Sequence, residues 1–594
     1  MKTIMMLFLL LTAAGWSIAS DDSTAIRVKS HIAYLASDAL EGRRAGTRGA
    51  RLAAAYVAQQ FASAGLLPIG DGGTYFQQFV FTSGVSLGKR NSLSVAKGGR
   101  TTTLTLDKDF RPFAFSSNGD CTGSLVVAGY GISSADLHYD DYAGVDVKDK
   151  IVLVLRYSPE GDNPRSDFAK YLPPRYKTLT AREKGAKALL IVTGSADDST
   201  DELQKLKYDN SASGSGIPVF SVTRSAVDAW LGSSYPSVDS IQSILNSSRK
   251  PASFEVPGVT LSLSSEVIEK KDTTENVVGL LQVTDTSNAE YLVMGAHYDH
   301  LGMGGEGSLE PDKIAIHHGA DDNASGTAGI IELAREMSGE KSLLRRNVEF
   351  ISFSGEEEGL LGSQYYVTHP TLNIGNAVAM INLDMVGRLK DRALTVQGTG
   401  TSSRWDTLLS LINADSALIL KRVKDGFGPS DHSSFYGAGI PILFFFTGIH
   451  EDYHKSSDVA EKINYEGEAS VLAYIAKVAV DVDDHTPRPD YLKTQAASTS
   501  GGDSRGLRAY VGTVPDFSEN VEGMKITSVR DNSPAAKGGL QGGDIIVKFG
   551  KFDVKNIYDY TYAIQDYKPG DNVDVVVKRG NELLTKRLKL EKRK

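Results

Sequence analysis

Five short stretches collect side chains that can bind metal ions or move protons: G-A-H-Y-D-H-L-G at Gly295–Gly302, G-A-D-D-N-A-S-G at Gly319–Gly326, S-G-E-E-E-G-L-L-G-S at Ser354–Ser363, I-N-L-D-M-V-G-R at Ile381–Arg388 and D-Y-H-K-S-S-D at Asp452–Asp458. Most of them follow directly on an apolar run, where an α/β sheet exposes the loops that hold ligands. Two divalent ions that share one carboxylate can polarise a carbonyl and activate water near neutral pH. Such a centre needs a histidine and a carboxylate on the outside of each ion, one carboxylate between them and a free carboxylate as base. His297, Asp322, Glu356, Glu357, Asp384 and His454 supply that set, and Asp299, two residues after His297, is spaced to orient its ring. His300, His317 and His318 crowd the same region and read as lining or loop residues. Single-ion H-E-x-x-H chemistry is disfavoured because that motif is missing. The segment G-P-S-D-H-S-S-F with Asp431 and His432 lacks a nucleophile elbow and reads as a pocket wall. Arg388 suits either a substrate carboxylate or a structural ion pair.

These residues need a scaffold. From 255 to about 485 apolar strands alternate with helical segments (Y-L-V-M-G-A-H, then T-A-G-I-I-E-L-A-R-E-M, then N-V-E-F-I-S-F-S), which predicts an α/β fold with a mixed, largely parallel sheet covered by helices. Residues 24–66 carry helix-period apolar positions and predict two helices joined by L-E-G-R-R-A-G-T, whose Arg43 and Arg44 are expected to be solvated. Between 121 and 254 the texture becomes strand-like, with one helix expected around Lys177–Gly185 and no convergent histidines or carboxylates. A small-residue linker, 491–505, leads to a terminal unit at 506–594.

A chain of 594 residues exceeds what one core supports, so three or so units are expected. The net charge of −9 comes with scattered Lys and Arg, which excludes a nucleic-acid footprint; the basic run Lys586–Lys594 reads as a solvated strand end. Residues 1–19 have the three-part layout of a secretory signal with cleavage after Ala19, predicting an exported protein, periplasmic or extracellular, with no membrane span once the signal is removed. No cysteine lies near that cleavage point, which argues against a lipid anchor. Cys121 is the only cysteine, so no intrachain disulfide forms, and it reads as a small buried residue.

The run A-G-Y-G-I followed by D-D-Y-A-G-V-D-V-K-D-K-I-V-L-V resembles the protease-associated domain, which implies a gating or substrate-positioning insert at 121–254. The terminal unit, with S-P-A-A-K-G-G-L-Q-G-G-D-I-I between two strands, resembles a bacterial PDZ domain, which implies a peptide or protein C-terminus added to a sheet edge. Taken in order, the five polar motifs resemble those of the co-catalytic zinc aminopeptidase family that includes bacterial leucyl aminopeptidases and glutamate carboxypeptidase. That resemblance implies a zinc exopeptidase fold, split into 20–120 and 255–490, two Zn²⁺ ions and a peptide substrate. It further implies one ion on His297 and Asp384, the other on Glu357 and His454, Asp322 between them, Glu356 as general base and Tyr453 as oxyanion donor. Aligning G-L-L-G-S leaves Glu358 as an extra acid. A carboxypeptidase or glutaminyl cyclase of the same fold, or a peptide-binding protein without catalysis, stays open, as do the native metal, the preferred terminal residue and the oligomeric state.

Overall fold

The computed structural model describes residues 22–208, 214–283, 288–305, 307–484, 487–494, 509–516, 521–530 and 532–592. The expected signal at 1–19 and the linker from 495 onward lie outside the described residues. The chain forms two units, residues 1–78 with 274–492 and residues 79–273 with 493–594. No described helix is long and apolar enough to cross a membrane.

The first unit is built on a nine-stranded mixed sheet. Its centre is four parallel strands: β1 (Tyr291–His297), β2 (Asn347–Phe353), β3 (Ala377–Leu383) and β4 (Ile442–Phe446), in the spatial order β2-β1-β3-β4. Antiparallel strands flank them, Val267–Leu281 beside β2 and Ala393–Gln397 beside β4. All seven residues of β1 and of β3 are buried, which explains why both read as continuous apolar runs instead of alternating ones. Successive side chains point to opposite faces of the sheet. Leu292, Met294 and Ala296 therefore join one core, while Tyr291 and Val293 join another with Phe353, Met380, Phe435 and Ile442.

The first core is closed by helices α1 (Asp22–Leu35), α2 (Arg48–Ser63), α3 (Gly326–Gly339) and α4 (Tyr465–Asp484). Val28, Ile32 and Leu35 give α1 one apolar face at helical spacing, and Val57 and Phe61 do the same on α2. Thr47 caps α2 by accepting from the amide of Ala50, and Gly65, at φ +80°, follows its last turn.

The second unit contains two sheets. An eight-stranded sheet runs from Arg100–Thr103 through Ser92–Lys97, Phe254–Ser265, Gly119–Val127, Ile151–Leu155, Ala188–Val192 and Val219–Val222 to Phe110–Pro112. Strands that precede Cys121 thus pair inside the body built by the stretch 121–254. The expected helix is there as Pro174–Glu183. Cys121 is half-buried, and burial raises its thiol to about 11, which keeps it protonated. A six-stranded sheet from Thr513 to Lys589 carries the helix Ile557–Gln565.

These two sheets are joined through helices. Arg175 stacks between Phe115 and Tyr558, 4.5 Å from each ring centre, and Tyr176 meets the Tyr562 ring edge-on at 5.3 Å. Arg182 donates to the Asp559 carboxylate at 3.0 Å and to the carbonyl of Asp553 at 2.7 Å. Leu179 completes the contact by entering the core of the terminal domain.

Candidate functional site

The polar motifs converge at the carboxyl ends of the parallel strands. His297 is the last residue of β1, Glu356 and Glu357 follow β2, Asp384 follows β3, and the loop after β4 leads to His454. Asp322 lies in an irregular turn, Ala320–Ser325, that opens α3. This turn is tied down from several sides. Asn323 donates to the Leu383 carbonyl at 3.0 Å, while its Oδ1 accepts from the amides of Gly326 and Met385. Asp458 accepts from the amides of Asp321 at 2.8 Å and Asp322 at 3.1 Å. Arg388 in turn donates to Asp458 at 2.8 Å and lies 3.5 Å from Asp452, so of its two sequence-level readings the structure shows the ion pair.

Two oxygens of one carboxylate face two different histidines. Asp322 Oδ1 is 3.5 Å from His297 Nε2, which is also 3.5 Å from Asp384 Oδ1. Asp322 Oδ2 is 3.2 Å from His454 Nε2, which is also 3.2 Å from Glu357 Oε2. Metal–donor bonds of about 2.0–2.1 Å in a tetrahedral zinc site put neighbouring donor atoms about 3.3 Å apart. The histidine-to-carboxylate edges of both triplets are close to that length. His297 Nε2 and Asp384 Oδ1 are buried and have no hydrogen-bond partner among the described residues, as ligand atoms awaiting a cation should. The electrostatics agree. Burial works against a charge on His454, yet Asp322 and Glu357 outweigh it and raise the imidazole to about 11. Burial also raises the carboxyl of Asp322, with Glu357 adding to the effect. The pocket thus concentrates buried carboxylates whose charge a bound cation would relieve.

The remaining predicted residues lie around this pair of triplets. His297 Nδ1 lies 3.2 Å from the main-chain oxygen of Asp299 and 3.7 Å from its carboxylate, which instead accepts from the amide of Glu356 at 3.2 Å. Glu356 stands 3.9 Å from His297 Nε2. Burial pushes its carboxyl well above the ordinary range, with Glu357, Asp384 and Asp431 pushing further and His297 opposing. Tyr453 stacks on the His454 ring at 3.9 Å; burial and the nearby carboxylates raise its hydroxyl far above the usual range, leaving it a neutral donor. Asp431 and His432 are buried behind the site, where His432 stacks on Phe444 at 4.4 Å and burial lowers it to about 3. Glu358 pairs with Arg44 at 3.0 Å.

Two neighbours make contacts that the sequence did not show. His300, read as a lining or loop residue, is fully buried in its loop, its Nδ1 is 2.6 Å from Glu357 Oε1, and with Asp322 and Glu357 it makes a group compact enough to surround an ion. Arg43 is not solvated: it is fully buried and donates to the carbonyls of Leu35, Tyr298, His318 and Gly319. The preceding Gly42, at φ +70°, lies so close to Gly302 and His317 that a Cβ there would sit 2.4 Å from the Gly302 carbonyl oxygen. That glycine was the one local hint, and it points to a close backbone approach without naming the partner. His317 and His318 are held by Ser308 at 2.7 Å and Asp38 at 2.8 Å.

Comparison with known proteins follows the same division. Residues 276–479 match peptidase family M28, residues 121–230 the PA domain and residues 510–590 the PDZ domain. Aminopeptidase YwaD of Bacillus subtilis is 26% identical over 349 residues, and a probable leucine aminopeptidase of Arthroderma otae 27% identical over 227. These alignments take in 56% and 35% of this chain, and the chain spans 62% and 59% of the length of those curated relatives. A solved aminopeptidase from Aneurinibacillus sp. strain AM-1 is 24% identical with a TM-score of 0.48, over 81% of this chain and 98% of that one. The chain is thus similar to peptidase family M28 over residues 276–479, to the PA domain over 121–230 and to the PDZ domain over 510–590.

Proposed function

We propose that this chain is an exported aminopeptidase that uses two zinc ions to remove N-terminal residues from peptides. The observation that carries the reading is Asp322, whose two oxygens face two separate histidine–carboxylate pairs at distances suited to a shared ion pair. The donor set fits zinc: each triplet supplies one imidazole nitrogen and two carboxylate oxygens, and in the first His297 Nε2 and Asp384 Oδ1 are buried without a partner among the described residues. His297 and Asp384 would hold one ion, Glu357 and His454 the other, with Asp322 between them. Zinc bound there supplies Lewis acidity, which polarises the scissile carbonyl and lets water attack near neutral pH.

The residues of the chain divide the remaining work. Glu356 accepts the proton of the attacking water and returns it to the leaving amine; burial and its acidic neighbours give it the affinity to hold that proton between the two transfers. Asp299 fixes the Glu356 backbone and, through its own carbonyl, the His297 ring. Tyr453 donates its hydroxyl hydrogen toward the developing oxyanion. The relatives named above are described as aminopeptidases, and the signal-like first residues support export. The edge strand Thr513–Pro515 of the PDZ domain would take a peptide or protein C-terminus as an added strand.

The test compares hydrolysis of one peptide series with free and with acetylated N-termini, before and after chelation. Cleavage from the free amino end, lost with the metal and restored by Zn²⁺, is expected. Release of C-terminal residues from acetylated peptides would replace the reading with a carboxypeptidase, and cyclisation of N-terminal glutamine with a glutaminyl cyclase.

A further inference from the structure

Glu357 has its two oxygens committed to different histidines. Oε2 stands 3.2 Å from His454 Nε2, a separation that matches two donors on one tetrahedral ion. Oε1 stands 2.6 Å from His300 Nδ1, too short for that edge and of the length expected of a charge-assisted hydrogen bond. His300 Nδ1 also lies 4.0 Å from Asp322 Oδ2, longer than the edge of about 3.3 Å between neighbouring donors on a tetrahedral ion. The ring is clamped in place. A Cβ on Gly319 would sit 2.5 Å from His300 Cδ2, so the imidazole packs directly against that glycine, whose φ of +56° side chains rarely adopt. The ring atom that meets Glu357 is Nδ1.

We infer that His300 is a positioning residue for the second ion, rotating Glu357 by a hydrogen bond from Nδ1 to Oε1 so that Oε2 alone faces the ion held with His454 and Asp322. A ligating carboxylate that is free to turn loses affinity and can chelate with both oxygens; the imidazole removes that freedom. Partners of this kind set the affinity of the metal and the geometry of its shell without touching it. The inference rests on the two-ion reading.

The test exploits the shapes of the amides. Asparagine places its side-chain N–H where imidazole Nδ1 lies, whereas glutamine places it near Nε2. His300→Asn, His300→Gln and His300→Leu are prepared beside His454→Asn, with the metal count, the dissociation constant of the weaker ion and the visible spectrum of the Co²⁺-loaded protein as readouts. His300→Asn is expected to keep two ions with nearly unchanged affinity and spectrum. His300→Gln and His300→Leu are expected to weaken the second ion by about 10–100-fold and shift the Co²⁺ spectrum while the first ion stays bound. Retention of the first ion reports that the fold is intact. Loss of the second ion in His300→Asn as complete as in His454→Asn would make His300 a direct ligand and overturn the inference. Unchanged affinity in both His300→Gln and His300→Leu would overturn it as well. A wild-type protein that binds fewer than two ions overturns the two-ion reading, and this inference falls with it.

Discussion

Replacing Arg43 by methionine tests how the site is built from below. The guanidinium is fully buried, and its three nitrogens donate to four main-chain oxygens: Tyr298 at 2.8 Å, Leu35 at 2.5 Å, His318 at 2.7 Å and Gly319 at 3.0 Å. Tyr298 follows the ligand His297, and Gly319 opens the turn that carries Asp322, so one side chain staples two ligand-bearing loops to the end of α1. Burial lowers Arg43 to about 10, with Asp299 and Asp322 opposing, so it is charged at neutral pH. Methionine keeps much of the volume, which makes the cavity contribution small. What it removes is four hydrogen bonds from a charged donor, each worth about 1.5–3 kcal/mol when made, and it strands their acceptors, three of them buried. Water can re-satisfy part of them, so a net loss of about 3–5 kcal/mol is expected, the range for breaking a buried charged network. Arg43→Lys retains the charge but offers its donors from a single nitrogen, so it should recover only a minor part. Thermal or urea unfolding of the apo and zinc-loaded protein measures both. A methionine variant whose unfolding midpoint stays within experimental scatter of wild type would refute the stapling argument, and full recovery by lysine would show that charge alone mattered.

Other consequences are equally open to measurement. Glu349 lies fully buried inside β2, where Tyr366 and Thr371 hydrogen-bond to it and burial raises its carboxyl from 4.5 to about 7. Because the folded form keeps a proton that the unfolded chain has lost, its contribution to stability falls as pH rises from about 4.5 to about 7, by on the order of 3 kcal/mol in all. Glu349→Gln should flatten that part of the pH profile of unfolding, and an unaltered slope would contradict it. Arg182→Ala should speed amide exchange in the helix Ile557–Gln565, since the Asp559 and Asp553 contacts that hold it to the helix Pro174–Glu183 are lost; unchanged protection would mean the stacked rings suffice. Asp458→Ala removes the acceptor of the Asp321 and Asp322 amides and should weaken metal binding about tenfold or more, read by competition with a chromogenic chelator.

Much of the site could be read from the chain because most of the motifs follow an apolar strand, and the carboxyl ends of parallel strands meet in space whatever the sequence distance between them. The strands themselves were legible because β1 and β3 are buried on both faces and therefore carry unbroken apolar runs. What stayed hidden depends on contacts that no local pattern encodes. Arg43 reaches carbonyls more than two hundred residues away, and a carbonyl leaves no mark in the sequence. His300 looks like any loop histidine until Glu357, from another strand end, is brought to 2.6 Å. The strands between Ser92 and Pro112 lack the length and hydrophobicity that would have joined them to the sheet beginning at Gly119, and their pairing partners lie far downstream. Glu349 alternates with apolar neighbours in a strand, a pattern that ordinarily marks a solvent-facing position.

The measurement that bears most directly on the central claim is turnover by Glu356→Gln with its bound zinc counted in the same preparation. Glutamine preserves size and polarity but cannot take a proton. With two ions still bound, a fall in kcat of about a hundred- to ten-thousand-fold is expected, the usual worth of a positioned general base. Turnover close to wild type in a variant holding both ions would contradict the assignment of Glu356, and with it the proposed division of labour at this centre.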